Sequence, residues 1–195
     1  AYERGLHFEK GTEQQAERVF QLQESDITPE DIRCFQDYLF WKICEIAAEV
    51  SLPLQCHTGM GQIINTDILQ LNNVIKNNPE TKFVLLHCGF PWVDDILSMV
   101  DGYHNVYPDL TWVPILSYTA SNRILHQLIE MTQIDKLCWG CDTWTVEESY
   151  GSLLAFRFSL CRVLSEKIAD GYFSVSNAKD IIDKILFDNA GKIYV

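Results

Sequence analysis

Three short apolar runs in this sequence end in a residue able to bind a metal ion, and each then breaks into a turn. The first, Leu52-Pro53-Leu54-Gln55-Cys56-His57, stops at Thr58-Gly59-Met60-Gly61. The second runs from Lys82 to His87-Cys88-Gly89, and the third from Leu137 to Gly140-Cys141-Asp142. Imidazoles and a carboxylate without a partner thiolate form a donor set for Zn²⁺ or a related divalent ion such as Mn²⁺. A single histidine of this kind reads as a hydrogen-bonded structural group. Three run ends with the same design favour one shared metal site. Asp109 or Thr111, closing a further run from Asn105 to Leu110, is a weaker candidate, because a strand-end Asp also binds nearby backbone amides.

The cysteines beside these residues read as bystanders. Side chains alternate along a strand, so Cys56 and Cys88 are expected to face away from the histidines, and Cys141 away from Asp142. Gly140 leaves room beside the carboxylate. Cys138-Trp139-Gly140-Cys141 has dithiol spacing, but a redox pair needs its first thiol at a helix N-terminus, and here the helix begins only after Thr145. Gly59-Met60-Gly61 lacks the Lys-Ser/Thr of a phosphate loop. Phe90, Trp92, Trp112, Tyr118 and Trp144 follow the run ends, either as packing or as the wall of a substrate pocket. His7, His104 and His126 read as surface residues.

Positioning these groups needs strands that end together. Residues 12–24 read as a surface helix. Thr28-Pro29-Glu30-Asp31 starts another, with a cap, a proline at the first helical position and acids on the positive dipole end. It runs through Phe35, Leu39, Ile43, Ile46 and Ala47 to about Val50. Four strand–helix units follow, with strands at Leu52–His57, Lys82–His87, Asn105–Leu110 and Lys136–Gly140. Pro108 is a weak point inside the third. Their helices start near Asn65, at Pro91, near Ser121 (reaching Thr132), and at the capping box Thr145-Val146-Glu147-Glu148. A last helix from Ser176 ends before Asp188. Short apolar strands alternating with amphipathic helices predict parallel strands joined by crossovers, with the ligand site at their C-terminal edge.

The chain has 195 residues, 47% of them hydrophobic, enough for one domain with a core. A net charge of −12 with scattered basic residues argues against a nucleic-acid partner. No run approaches a membrane span, so no membrane association is expected. Seven cysteines, most in apolar patterns, read as reduced thiols and point to the cytoplasm. The opening Ala1-Tyr2-Glu3-Arg4-Gly5 reads as the middle of a loop, so the chain is expected to be part of something larger.

Gln55-Cys56-His57-Thr58-Gly59, His87-Cys88-Gly89-Phe90-Pro91, Val106-Tyr107-Pro108-Asp109-Leu110 and Gly140-Cys141-Asp142-Thr143 together resemble the metal-dependent amidohydrolase superfamily, in its "amidohydrolase 2" group. Ile185-Leu186-Phe187-Asp188-Asn189-Ala190 is similar to that group's C-terminus. The resemblance implies an α/β fold, a partial (β/α)₈ barrel made of strands five to eight. It implies His57, His87 and Asp142 as metal ligands, with His87 and Asp142 also in acid/base roles. A metal lowers the pKa of bound water, and a carboxylate beside it can take the proton. It implies a small-molecule substrate, hydrolysed or decarboxylated, with Trp92, Trp112, Trp144 and Arg4 as candidate contacts. A solvated surface charge is the favoured reading of Arg4. The group's first strand carries a His-x-His pair that is absent here. Association with a missing N-terminal half, or a homo-oligomer, is therefore expected. A non-catalytic truncated module is the competing reading.

Overall fold

The computed structural model describes residues 1–131 and 134–195. In chain order it contains α1 (Glu13–Phe20), α2 (Pro29–Glu49), β1 (Leu54–His57), α3 (Asn72–Asn77), β2 (Phe83–Leu86), α4 (Asp95–Gly102), β3 (Val106–Asp109), α5 (Val113–Leu116), α6 (Tyr118–Met131), α7 (Val146–Ala169), α8 (Val175–Asp183) and α9 (Asn189–Tyr194). The strands pair in parallel in the order β1-β2-β3. Their register sets His57 beside Leu86 and Leu86 beside Asp109, so the strand ends lie in one row.

The expected fourth strand is a correction. Lys136–Gly140 is reduced to one parallel bridge, Asp109 with Cys138. Cys138 N–H donates to Pro108 O at 2.9 Å and Leu110 N–H to Cys138 O at 3.0 Å. The next rung toward the N-terminus would need an N–H on residue 108, and proline has none. Ile134–Lys136 turns as a 3₁₀ segment instead.

The helix starts follow their capping chemistry. Thr28 and Thr145 each close a capping box, with Asp31 and Glu148. Thr12 with Gln15 and Ser174 with Asn177 do the same, so the late helix is capped by Ser174 and begins at Val175 rather than Ser176. It also does not stop before Asp188. A π-helical turn, Lys184–Asp188, carries the chain into α9. Asn189 anchors that turn by donating to Ile134 O and Leu137 O, both at 2.7 Å. The helix expected to reach Thr132 begins at Tyr118, and Thr132 lies outside the described residues.

One face of the sheet packs Phe83, Leu85 and Val106 against Ile75, Ile96, Ile124, Leu128 and Phe156, all fully buried. Complete burial of each such side chain contributes on the order of 2 kcal/mol. The opposite face carries Val84, Leu86 and Tyr107 and is closed by Ile193 and Tyr194 of α9. Gln55 donates to the Tyr194 hydroxyl there at 2.8 Å.

Two helices keep an apolar stripe in solvent. On α2 the buried side is Trp41, Cys44 and Ala47, while Ile32, Leu39, Ile43 and Ile46 are exposed. The 3.6-residue periodicity of Leu39, Ile43 and Ile46 therefore marks an outer face. On α7, Tyr150 and Phe158 are exposed, about two helical turns apart. α2 leads into β1 at one edge of the sheet, and α7 follows the Cys138 bridge at the other. Among the described residues, no helix is long and apolar enough to cross a membrane.

Candidate metal centre

The loop after β1 is clasped to the turn after β2. Thr58 Oγ1 donates to Leu86 O at 2.6 Å and accepts from Gly89 N–H at 3.0 Å. Gly59 has φ +75°, and a Cβ there would lie 2.0 Å from Phe90 O, so no side chain fits. Met60 N–H donates to that same Phe90 carbonyl at 3.0 Å. The loop thereby folds back until the Met60 carbonyl meets His57 Nε2.

β2 stops at Leu86, one residue short of its expected end. His87 and Cys88 leave the strand with φ of +66° and +47°. Cys88 is thus excluded as a ligand by its turn rather than by strand alternation. Its buried Sγ–H donates to Asp109 O at 3.3 Å, and burial pushes the thiol up. Burial likewise pushes the Cys56 and Cys138 thiols up to about 12. The Cys141 thiol donates to Ser149 O at 3.6 Å.

His87 is fully buried, and its two ring nitrogens have different neighbours. Nδ1 lies 2.9 Å from Thr111 O, and Nε2 lies 3.0 Å from His57 Nδ1. A carbonyl oxygen only accepts, so each nitrogen facing one carries the proton. His87 is therefore protonated on Nδ1 and His57 on Nε2, the nitrogen facing Met60 O. The two nitrogens that face each other are both left with bare lone pairs. Lone pairs at that separation repel unless a cation lies between them or displaces them outward. A shared proton is disfavoured, because burial lowers the pKa of His57 and lowers that of His87 to about 4. A divalent ion fits this donor pair, and pinning the remote nitrogen to a carbonyl is how metal-binding imidazoles are oriented.

Asp142 supplies a carboxylate beside the pair, with Oδ2 4.0 Å from His87 Nε2 and half its side chain in solvent. Among the described residues, no three His, Cys, Asp or Glu side chains are already closed into a complete ligand set. The histidine pair is the nucleus, with Asp142 one short displacement away. Asp109 takes the alternative role foreseen for it. Its buried Oδ1 accepts from Thr111 N–H at 2.8 Å and Thr111 Oγ1 at 2.6 Å, holding the turn that presents Thr111 O to His87.

Of the aromatic candidates, Trp112 reaches the centre. Its indole stacks on His87 with centroids 4.3 Å apart and meets the His57 ring edge-on at 5.7 Å. Trp144 is 95% exposed, and Trp92 sits part-exposed in the turn after Gly89, whose carbonyl its N–H binds at 2.8 Å. Arg4 is engaged elsewhere, paired with Asp37 at 2.8 Å and donating to His7 O at 2.7 Å and Gln36 Oε1 at 3.1 Å. His126 Nε2 lies 2.9 Å from Glu166 Oε2 and His7 Nε2 2.6 Å from Glu9 Oε1. Sequence reasoning missed Tyr2, whose ring lies 4.5 Å from that of His57, and the carbonyls of Met60 and Thr111. Backbone acceptors leave no mark in residue type, and Tyr2 stands 55 positions before the histidine.

Strain concentrates here as well. Among the described residues, four of the six non-glycine positions with positive φ are His87, Cys88, Trp112 and Asp142. Such backbone costs on the order of 1 kcal/mol or more per residue and persists where the surroundings enforce it. Below the row lies a cleft of ≈ 310 Å³ lined by Gln55, Leu86, Asp109, Thr111, Trp139, Asp142 and Tyr194.

Comparison with known proteins supplies the wider frame. A protein of Lactobacillus casei ATCC 334, described as a metal-dependent hydrolase, superposes with a TM-score of 0.84 at 22% identity, over 100% of this chain and 53% of its own. Uronate isomerase of Thermotoga maritima gives 0.79 at 16% identity, over 98% of this chain and 48% of its own. These likenesses establish the fold, an α/β arrangement around a parallel sheet similar to that of TIM-barrel amidohydrolases. Protein fluG of Emericella nidulans is 30% identical over 148 residues, 73% of this chain and 17% of that protein. The chain spans about half the length of the solved structures and a smaller share of the curated relative. The family model described as amidohydrolase matches residues 7–194, and the chain therefore belongs to the amidohydrolase family.

Proposed function

We propose that this chain is the C-terminal half of a (β/α)₈ barrel, strands five to eight, in a metal-dependent hydrolase acting on a small organic substrate. The observation that carries the proposal is the facing pair His57 Nδ1 and His87 Nε2, 3.0 Å apart with both remote nitrogens held by carbonyls. Coverage of about half of each solved neighbour supports the half-barrel reading. So do the exposed apolar stripes on α2 and α7, since both helices would have neighbours in a closed ring. The remaining ligands would come from a His-x-His strand in the other half.

His57, His87 and Asp142 would hold the ion, with Zn²⁺ the best match to imidazole and carboxylate donors. A bound divalent ion would polarise the scissile group and acidify a water. Asp142, partly in solvent and beside the pair, would serve as the group that takes up and returns a proton. The cleft that Asp142 lines is where the substrate would sit. Decarboxylation would use the same groups, with His87 or Asp142 returning a proton to the carbon from which carbon dioxide leaves. The seven free thiols support a reducing compartment, the cytoplasm.

The test is elemental analysis of the full-length natural protein and of its His57→Ala and His87→Ala variants. Stoichiometric divalent metal lost in both variants is expected. A metal-free wild-type protein, purified without chelator, would end the proposal. Release of an amine or alcohol, as against carbon dioxide, separates the two reactions.

A further inference from the structure

We infer that Trp112 is a positioning residue, the clasp that holds the Asp142 carboxylate beside the histidine pair. Its indole Nε1–H donates to the backbone carbonyl of Asp142 at 2.6 Å. The same ring stacks on His87 and touches the edge of His57. One side chain thus contacts all three of the groups that converge at the centre. Trp112 is a bystander to the chemistry in this assignment, since its single polar atom is spent on Asp142 O.

Two features make the contact more than packing. Trp112 has φ +66° and Asp142 φ +48°, a region uncommon for non-glycine residues and most unusual for one as bulky as tryptophan. The first turns the indole back over the strand ends instead of letting it follow α5. The second aims the carboxylate at His87 rather than along the loop toward Trp144. A single hydrogen bond joins these two strained residues across 30 positions of sequence. Without it, the segment from Gly140 to Thr145 has no other described side-chain hydrogen bond to Trp112 or to the His87 turn. Its remaining side-chain bonds run to Ser149 and Glu148. Asp142 would then lose its fixed distance to Nε2, while the histidine pair, pinned by Thr111 O and Met60 O, would stay.

The inference rests on the metal reading above, and its test separates the two. Co²⁺ is titrated into metal-stripped full-length protein, with binding read from visible absorption, for wild type, Trp112→Phe, Asp142→Ala and the double variant. Phenylalanine keeps a ring on His87 and removes the donor. Trp112→Phe is expected to weaken Co²⁺ binding about tenfold, the worth of one such hydrogen bond, and to alter the absorption band. In the Asp142→Ala background the same change is expected to do nothing further. Should Trp112→Phe fail to fold by thermal melting, Trp112→Leu, which also lacks a donor, carries the same comparison. Wild-type affinity and band shape in the variant would overturn the clasp, as would losses that add in full in the double variant. Absence of Co²⁺ binding by the wild type would instead remove the metal reading and the clasp with it.

Discussion

The two edges of the sheet spend their polar groups in opposite ways. At the N-terminal edge, Asn105 Nδ2 donates to Ile75 O, Asn78 O and Thr81 O at 3.4, 2.9 and 3.1 Å. Thr81 Oγ1 donates to Cys44 O at 2.8 Å, and Asn78 Nδ2 to Val74 O at 2.9 Å. Each of these side chains ties backbone to backbone, in a buried and closed network. At the C-terminal edge, His57 and His87 use one nitrogen each for the backbone and turn the other toward its counterpart. Asp142 stands half in solvent. Burial of polarity is common to both edges. Unspent valence, joined to strained backbone, belongs to one, and it is the better marker of a site.

The comparison breaks if changes at the two edges have the same consequences. Asp142→Ala in the full-length protein is expected to lower turnover about a thousandfold or more with an unchanged thermal midpoint. Retained turnover would move the reactive carboxylate elsewhere. Asn105→Leu should do the reverse, lowering the unfolding free energy by about 3 kcal/mol through orphaned buried carbonyls. Its Co²⁺ affinity, measured on the folded fraction, should equal that of the wild type, and a loss there would join the two edges.

A smaller effect follows from His87. Burial holds its folded pKa at about 4, while the unfolded chain protonates near an ordinary ~6.5. The unfolded state therefore takes up the proton first as pH falls. The stability present above pH ~6.5 should decline between there and about 4, by about 2 kcal/mol at pH 5. Urea unfolding in chelator at pH 7 and pH 5 measures it, and His87→Gln should lose this component. Equal slopes in both proteins would show that His87 is not held neutral by the fold. The smallest change is expected at Trp144. Trp144→Ser should alter stability by less than ~0.5 kcal/mol, and a several-fold rise in KM would make it a substrate contact after all.

Much of this arrangement was legible in the residues. Thr28-Pro29 and Thr145-Glu148 act through local backbone chemistry, so their helix starts could be read directly. His57, His87 and Asp142 could be brought to one edge because parallel strands end in register. Three things could not be read. Pro108 was visible as a weak point, but its effect on Lys136–Gly140 depends on which N–H the ladder needed next. The apolar pattern of α2 gave the period but not the face, because apolar side chains occupy both sides of the helix. The backward turn of Trp112 rests on a positive φ that tertiary contacts impose and residue type does not announce.

The indole laid over His87 also gives the molecule an optical reporter. Tryptophan emission is quenched when an adjacent imidazole becomes cationic or binds a paramagnetic ion. Trp112 is in stacking contact with one imidazole and edge contact with the other. The other four tryptophans have no described ring contact with either histidine. The difference in emission between wild type and Trp112→Phe should therefore isolate events at the centre, making arrival of an ion or a proton visible without label or substrate.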